Sequence, residues 1–76
     1  MGAGIPVLSP AQVERILLQL GFAVRSAKGA HRFFRHADGR TTTVPFHANR
    51  DISPSLLRKI CRDIQVTVEA FLQQRS

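Results

Sequence analysis

The sequence predicts an α+β fold, one three-stranded antiparallel sheet with its helices packed on a single face. Two segments, opening at Ser9-Pro10 and Ser53-Pro54, pair an N-cap serine with a first-turn proline and continue with apolar residues at helical spacing. Between them lie three short runs with strand character, divided by glycine turns. The third observation is length. Seventy-six residues allow one domain, which buries only about 60% of the surface its unfolded chain exposes. Composition agrees: 43% apolar and 21% charged, with five Gly and four Pro, excludes a disordered tail or a low-complexity linker.

The first helix is predicted over 10–20. Ser9 is its N-cap, Gln12 occupies the capping-box position, Val13, Ile16, Leu17 and Leu20 form one apolar stripe, and Gly21 closes it. The first strand, 22–26, alternates with Phe22 and Val24 on one face, and 27–29 makes a tight connection. The middle strand, 30–36, is ambiguous: Phe33 shares a face with His31 and Arg35, whereas Phe34 shares one with Arg32 and His36. We place Phe34 inward; an outward Phe would be free to stack on a base. Ala37-Asp38-Gly39 is a hairpin signal, and 40–46 pairs back with Thr42, Val44 and Phe46 on one face. Pro45 has no N–H, so that strand ends there or lies on an edge. After a loop at 47–52, Leu56, Leu57, Ile60, Cys61 and Ile64 form the second helical stripe, and Thr67 caps a short helix in which Val68, Phe71 and Leu72 face inward. Residues 1–76 thus read as a single domain, with an arm at 1–8, a core at 9–64 and a short helix at 67–74. There is no internal repeat.

Charge is the first functional signal. Eleven Lys and Arg against five Asp and Glu give +6, and Arg25, Lys28, Arg32, Arg35 and Arg40 against Asp38 concentrate +4 in one stretch. Such a stretch suits an anionic partner, nucleic acid above all, although a solubilising surface or a patch for an acidic protein has the same composition. The longest apolar run is far short of the roughly 20 residues that cross a bilayer, and the start carries no basic residue ahead of a long apolar stretch, so neither a membrane span nor a secretory signal is expected. One cysteine, Cys61, builds neither an internal disulfide nor a zinc site by itself and reads as a small core side chain; a reducing, cytoplasmic setting fits.

Three histidines are the side chains suited to proton transfer near neutral pH. His31 starts the middle strand beside Lys28-Gly29, with Arg32 adjacent, where it can meet a phosphodiester; the plainer reading is a solvated polar residue on the open sheet face. His36 reads as a turn or surface residue, and His47 as a loop residue bonding to backbone. Their spacing matches no common metal-ligand pattern, the carboxylates are too scattered to pair, and no phosphate-binding glycine loop follows a strand.

Taken in order, Lys28-Gly29-Ala30-His31, the aromatic strand, His36-Ala37-Asp38-Gly39-Arg40, Val44-Pro45-Phe46-His47 and Ser53-Pro54-Ser55-Leu56-Leu57-Arg58-Lys59-Ile60 resemble the HicA (YcfA-like) family, the small toxins of HicAB toxin–antitoxin pairs. Ile5-Pro6-Val7-Leu8-Ser9, Leu20-Gly21-Phe22 and Val66-Thr67-Val68-Glu69-Ala70-Phe71-Leu72 extend the likeness from residue 5 to residue 72. The resemblance implies a double-stranded-RNA-binding-domain-like fold and a ribonuclease that cuts mRNA until a HicB-type antitoxin covers it. The family's catalytic histidine lies in a Gly-Ser-His segment, and His31 is the matching residue. Two departures stand out: Ala30 replaces the usual serine, which weakens activity if that hydroxyl orients the histidine, and Ser55 replaces a common glycine.

The mechanism implied needs neither metal nor cofactor. The ribose 2′-OH attacks the adjacent phosphorus; His31 takes its proton or protonates the leaving 5′-oxygen, and water, His36 or His47 serves as the second acid or base. Lys28 and Arg32 stabilise the added charge. The expected RNA-binding set is Lys28, Gly29, Arg32 and Arg35, with Arg25 and Arg40 from the same basic stretch. Two other classes stay open, a non-catalytic RNA-binding module of the same fold and a protein-interaction domain. Cleavage preference and oligomeric state are not legible.

Overall fold

The computed structural model of the chain describes residues 4–47 and 50–75. In order they form α1 (Pro10–Gln19), β1 (Phe22–Lys28), β2 (His31–His36), β3 (Thr41–Pro45), α2 (Pro54–Asp63) and α3 (Val68–Gln73). The strands make one open antiparallel sheet in the order β1-β2-β3. Phe22, Phe34, Thr42 and Val44 are buried on its helix side beneath α1 and α2. This is the expected α+β arrangement, of the double-stranded-RNA-binding-domain-like kind, with the short helix α3 at the end.

The capping box begins α1. Ser9 Oγ accepts the Gln12 N–H at 3.1 Å, and Gln12 Oε1 accepts the Ser9 N–H at 2.8 Å. Val13, Ile16 and Leu17 are buried, and Gly21 follows the helix at φ +96°. A Cβ on Gly21 would lie 2.9 Å from Nε2 of His36, so backbone and space both demand glycine there.

β1 departs from expectation in two ways. It continues to Lys28, so the connection is the two-residue turn Gly29-Ala30 rather than 27–29, with Gly29 at φ +56°. It also bulges: Val24 pairs with Phe34 but Ser26 pairs with Phe33, leaving Arg25 as the extra residue. Without that insertion Phe22 and Lys28 could not both sit opposite their partners His36 and His31. β3 lies on the edge and stops at Pro45, as the missing N–H requires. Phe34 is fully buried and Phe33 is 37% exposed, which bears out the inward placement of Phe34.

Serine caps α2 as expected, with Ser53 Oγ accepting the Leu56 N–H at 3.2 Å. Its other end is a Schellman turn: the Gln65 N–H reaches the Arg62 carbonyl, the Val66 N–H reaches that of Cys61, and Gln65 stands at φ +61°. The segment before α2 is not simply a loop. Ile52 donates its N–H to Leu8 at 2.7 Å, and both side chains are 1% exposed, so the last residue of the arm joins the core. Ala48 and Asn49 of the expected loop lie outside the described residues. Phe71 of α3 completes the core, beneath the Thr67 cap.

Candidate functional site

Antiparallel partners share a face, so the pairing defines what the open side of the sheet displays. Its rows are Lys28, His31 and Pro45 at one end, then Ser26, Phe33 and Thr43, then Ala23, Arg35 and Thr41. These rows contain no carboxylate. Among the described residues Arg25, Lys28 and Arg35 take part in no ion pair. Arg25 and Arg35 line a shallow cleft of about 480 Å³ with Gly21, Ala23, His36 and Ala37. The bulge keeps Phe22 and Val24 on the helix side while turning Lys28 to the side of His31.

His31 is exposed at its end of this surface, and the ring of His47 lies edge-on to it, 5.9 Å between centroids at 83°. The chain is brought there by three contacts. Phe46 donates its N–H to the Ala30 carbonyl, which ties the end of β3 to the turn before His31. The Arg32 guanidinium lies 4.0 Å over the Phe46 ring, and its Nη1 also donates to both carboxylate oxygens of Glu14 on α1, at 2.8 and 2.9 Å. Residue 47 consequently emerges beside residue 31.

Alternation sends Arg32 to the helix side, so it does not flank His31 on the open face as its position next in sequence suggested; it anchors Phe46 instead. Arg40 is likewise turned away. Its guanidinium bonds Asp38 at 2.8 Å, donates to the Ile64 carbonyl at the end of α2, and lies 5.2 Å from the Phe22 ring centroid. The Arg40 backbone N–H, with the guanidinium behind it, holds the Asp38 carboxyl below the usual carboxylate range. His36 sits at the opposite end of β2, edge-on to Phe22 at 5.1 Å, with Nδ1 accepting the Asp38 N–H at 3.0 Å. The structure thus groups His31 with Lys28, Gly29 and His47, sets Arg25 and Arg35 further along the same face, turns Arg32 and Arg40 away from it, and leaves His36 beside the Arg25–Arg35 cleft, at the end of β2 opposite His31. Of the two histidines named as candidate second acids or bases, His47 is the one whose ring lies beside His31; Pro45, ending a strand that pairs with the one His31 begins, was the sequence signal for that position.

Among the described residues no three His, Cys, Asp or Glu side chains gather closely enough to hold a metal ion, and no helix is long and apolar enough to cross a membrane. The family model for the HicA toxin of bacterial toxin–antitoxin systems matches residues 10–66, from the start of α1 to the last residue of the Schellman turn. The chain belongs to the HicA toxin family. The match spans the whole sheet, both long helices and every residue of the site described above. No curated protein matches the chain.

Proposed function

We propose that this HicA toxin is a metal-independent endoribonuclease that cuts mRNA in the cytoplasm, with His31 as a catalytic residue and His47 as its partner. The observation that carries the reading is the pair of imidazoles, 5.9 Å apart, on a basic face free of carboxylates. RNA supplies its own nucleophile. One imidazole takes the proton of the 2′-OH as the 2′-oxygen bonds to phosphorus; the other protonates the 5′-oxygen as its bond to phosphorus breaks. The products are a 2′,3′-cyclic phosphate and a free 5′-OH. Lys28, across the strand pair from His31, neutralises charge added to the phosphoryl oxygens. Of the candidates for the second acid or base, His47 is near enough and His36 is not.

The test is cleavage of single-stranded RNA in EDTA. His31→Ala should lower the rate by about 100-fold or more, the usual worth of a general acid or base. Wild type should show a bell-shaped pH profile, and His47→Ala should flatten one limb of it. A His31→Ala protein that cuts as fast as wild type overturns the reading. DNA, lacking the 2′-OH, should survive.

A HicB-type antitoxin of acidic surface would neutralise the toxin by covering this face, where Arg25, Lys28 and Arg35 take part in no ion pair among the described residues. A second reading, a non-catalytic RNA-binding module, is favoured by one observation: Ala30, whose carbonyl holds Phe46, brings no hydroxyl to the position before His31. That reading expects RNA binding without growth arrest on induction. Ala30→Ser separates the two by restoring or raising turnover.

A further inference from the structure

Phe33 has no part in the core and none in the acid–base chemistry. It stands in the central row of the open face, 37% exposed, between the small polar residues Ser26 and Thr43. His31 lies two residues before it on the same side of β2, about 6.6 Å along the strand, and Arg35 two residues beyond. From His31 to the Arg25–Arg35 cleft is about 13 Å, more than a single nucleotide step.

On the basis of the endoribonuclease reading, we propose that the open face binds an unpaired strand of RNA lengthwise along β2, with one base stacked on Phe33 and a phosphate remote from the cleaved one held between Arg25 and Arg35. Three features converge on that occupant. An exposed phenylalanine on a sheet offers a π-face to any base, and only an unpaired base can lie on it. The flanking cations and the absence of carboxylates in the rows match a polyanion rather than an apolar partner. The order from His31 to Phe33 to Arg35 sets the cleaved phosphate, a stacked base and a more distant phosphate along one direction. A duplex, whose bases are stacked and paired inside, satisfies none of the Phe33 contact, so this face selects single strands even though the fold resembles that of duplex binders.

The experiment uses the His31→Ala protein, expected on the ribonuclease reading to spare RNA over the titration, and a short fluorescent single-stranded RNA titrated at several salt concentrations. Adding Phe33→Ala should weaken binding about tenfold with the salt dependence unchanged. Phe33→Leu should weaken it similarly, since an apolar side chain without a ring keeps the burial but loses the stacking. Adding Arg35→Gln and Arg25→Gln together should reduce the slope of log K against log salt by about 0.7, the worth of the one phosphate they share. A hairpin duplex of the same bases should compete poorly. If His31→Ala binds RNA but is indifferent to Phe33 and Arg35, or if the duplex competes equally, this proposal falls while the ribonuclease reading stands. If His31→Ala retains no RNA at any salt, both fall. If the Phe33 and Arg35 variants lose only an acidic protein partner, the face is a protein-docking surface and the proposal is overturned.

Discussion

Cys61 and His31 show how differently two titratable side chains can be placed. Cys61 lies 2% exposed on the core side of α2, and burial pushes its thiol up to about 11. The folded protein therefore keeps the thiol neutral through the pH range in which an unfolded chain, titrating at about 8.5, loses the proton. Because the unfolded state then binds fewer protons, stability declines as pH rises from there towards 11. At pH 8 a thiol reagent should label Cys61 no faster than the protein opens and at once in denaturant; rapid labelling of the native state would contradict its placement. The inert role of Cys61 was legible from its helical spacing. For His31 the residue type left an exposed bystander open, the family likeness pointed to it, and the neighbouring His47 ring supports that reading.

Among the elements, α2 carries an identifiable defect. Gln65 terminates it in the left-handed conformation that glycine adopts freely and a residue with a Cβ adopts at a cost of about 1–2 kcal/mol. Gln65→Gly should stabilise the protein by about 0.5–1 kcal/mol, allowing for glycine's greater unfolded-state entropy, and so raise Tm by several degrees in a thermal melt. A lowered Tm would mean that the Gln65 side chain contributes something the backbone geometry does not reveal. Both helix starts were readable because a Ser-Pro pair and the following stripe are local signals. The β1 bulge was not, since inserting Arg25 is rewarded only when Phe22 and Lys28 meet their partners on β2 at opposite ends of the pairing. Reading 22–26 as a plain alternating strand therefore mistook Lys28 for a turn residue.

At the scale of the whole molecule, the acids organise the bases. Glu14 takes Arg32, Asp38 takes Arg40 and Asp63 takes Lys59, so three of the five carboxylates neutralise cations away from the open face. What they leave uncompensated on the sheet, Arg25, Lys28 and Arg35, is the positive surface. The Arg32 contact also links α1 to the segment bearing His47, which on the ribonuclease reading makes it a positioning residue. Arg32→Ala should cost about 1–2 kcal/mol of stability from the ion pair and the ring contact together. Measured where the variant is still folded, it should lower kcat for RNA cleavage more than it raises KM, and Arg32→Lys should recover part of the loss. A change confined to KM and its salt dependence would instead make Arg32 a phosphate ligand. The order of elements, the helix caps, the basic excess and the family likeness could be read from the chain alone, because each depends on residues close together in sequence. Which face each cation occupies and the pairing of His31 with His47 came only with the folded structure. Strand parity, a single bulge and contacts between residues as far apart as 14 and 32 decide those, and no local pattern encodes them.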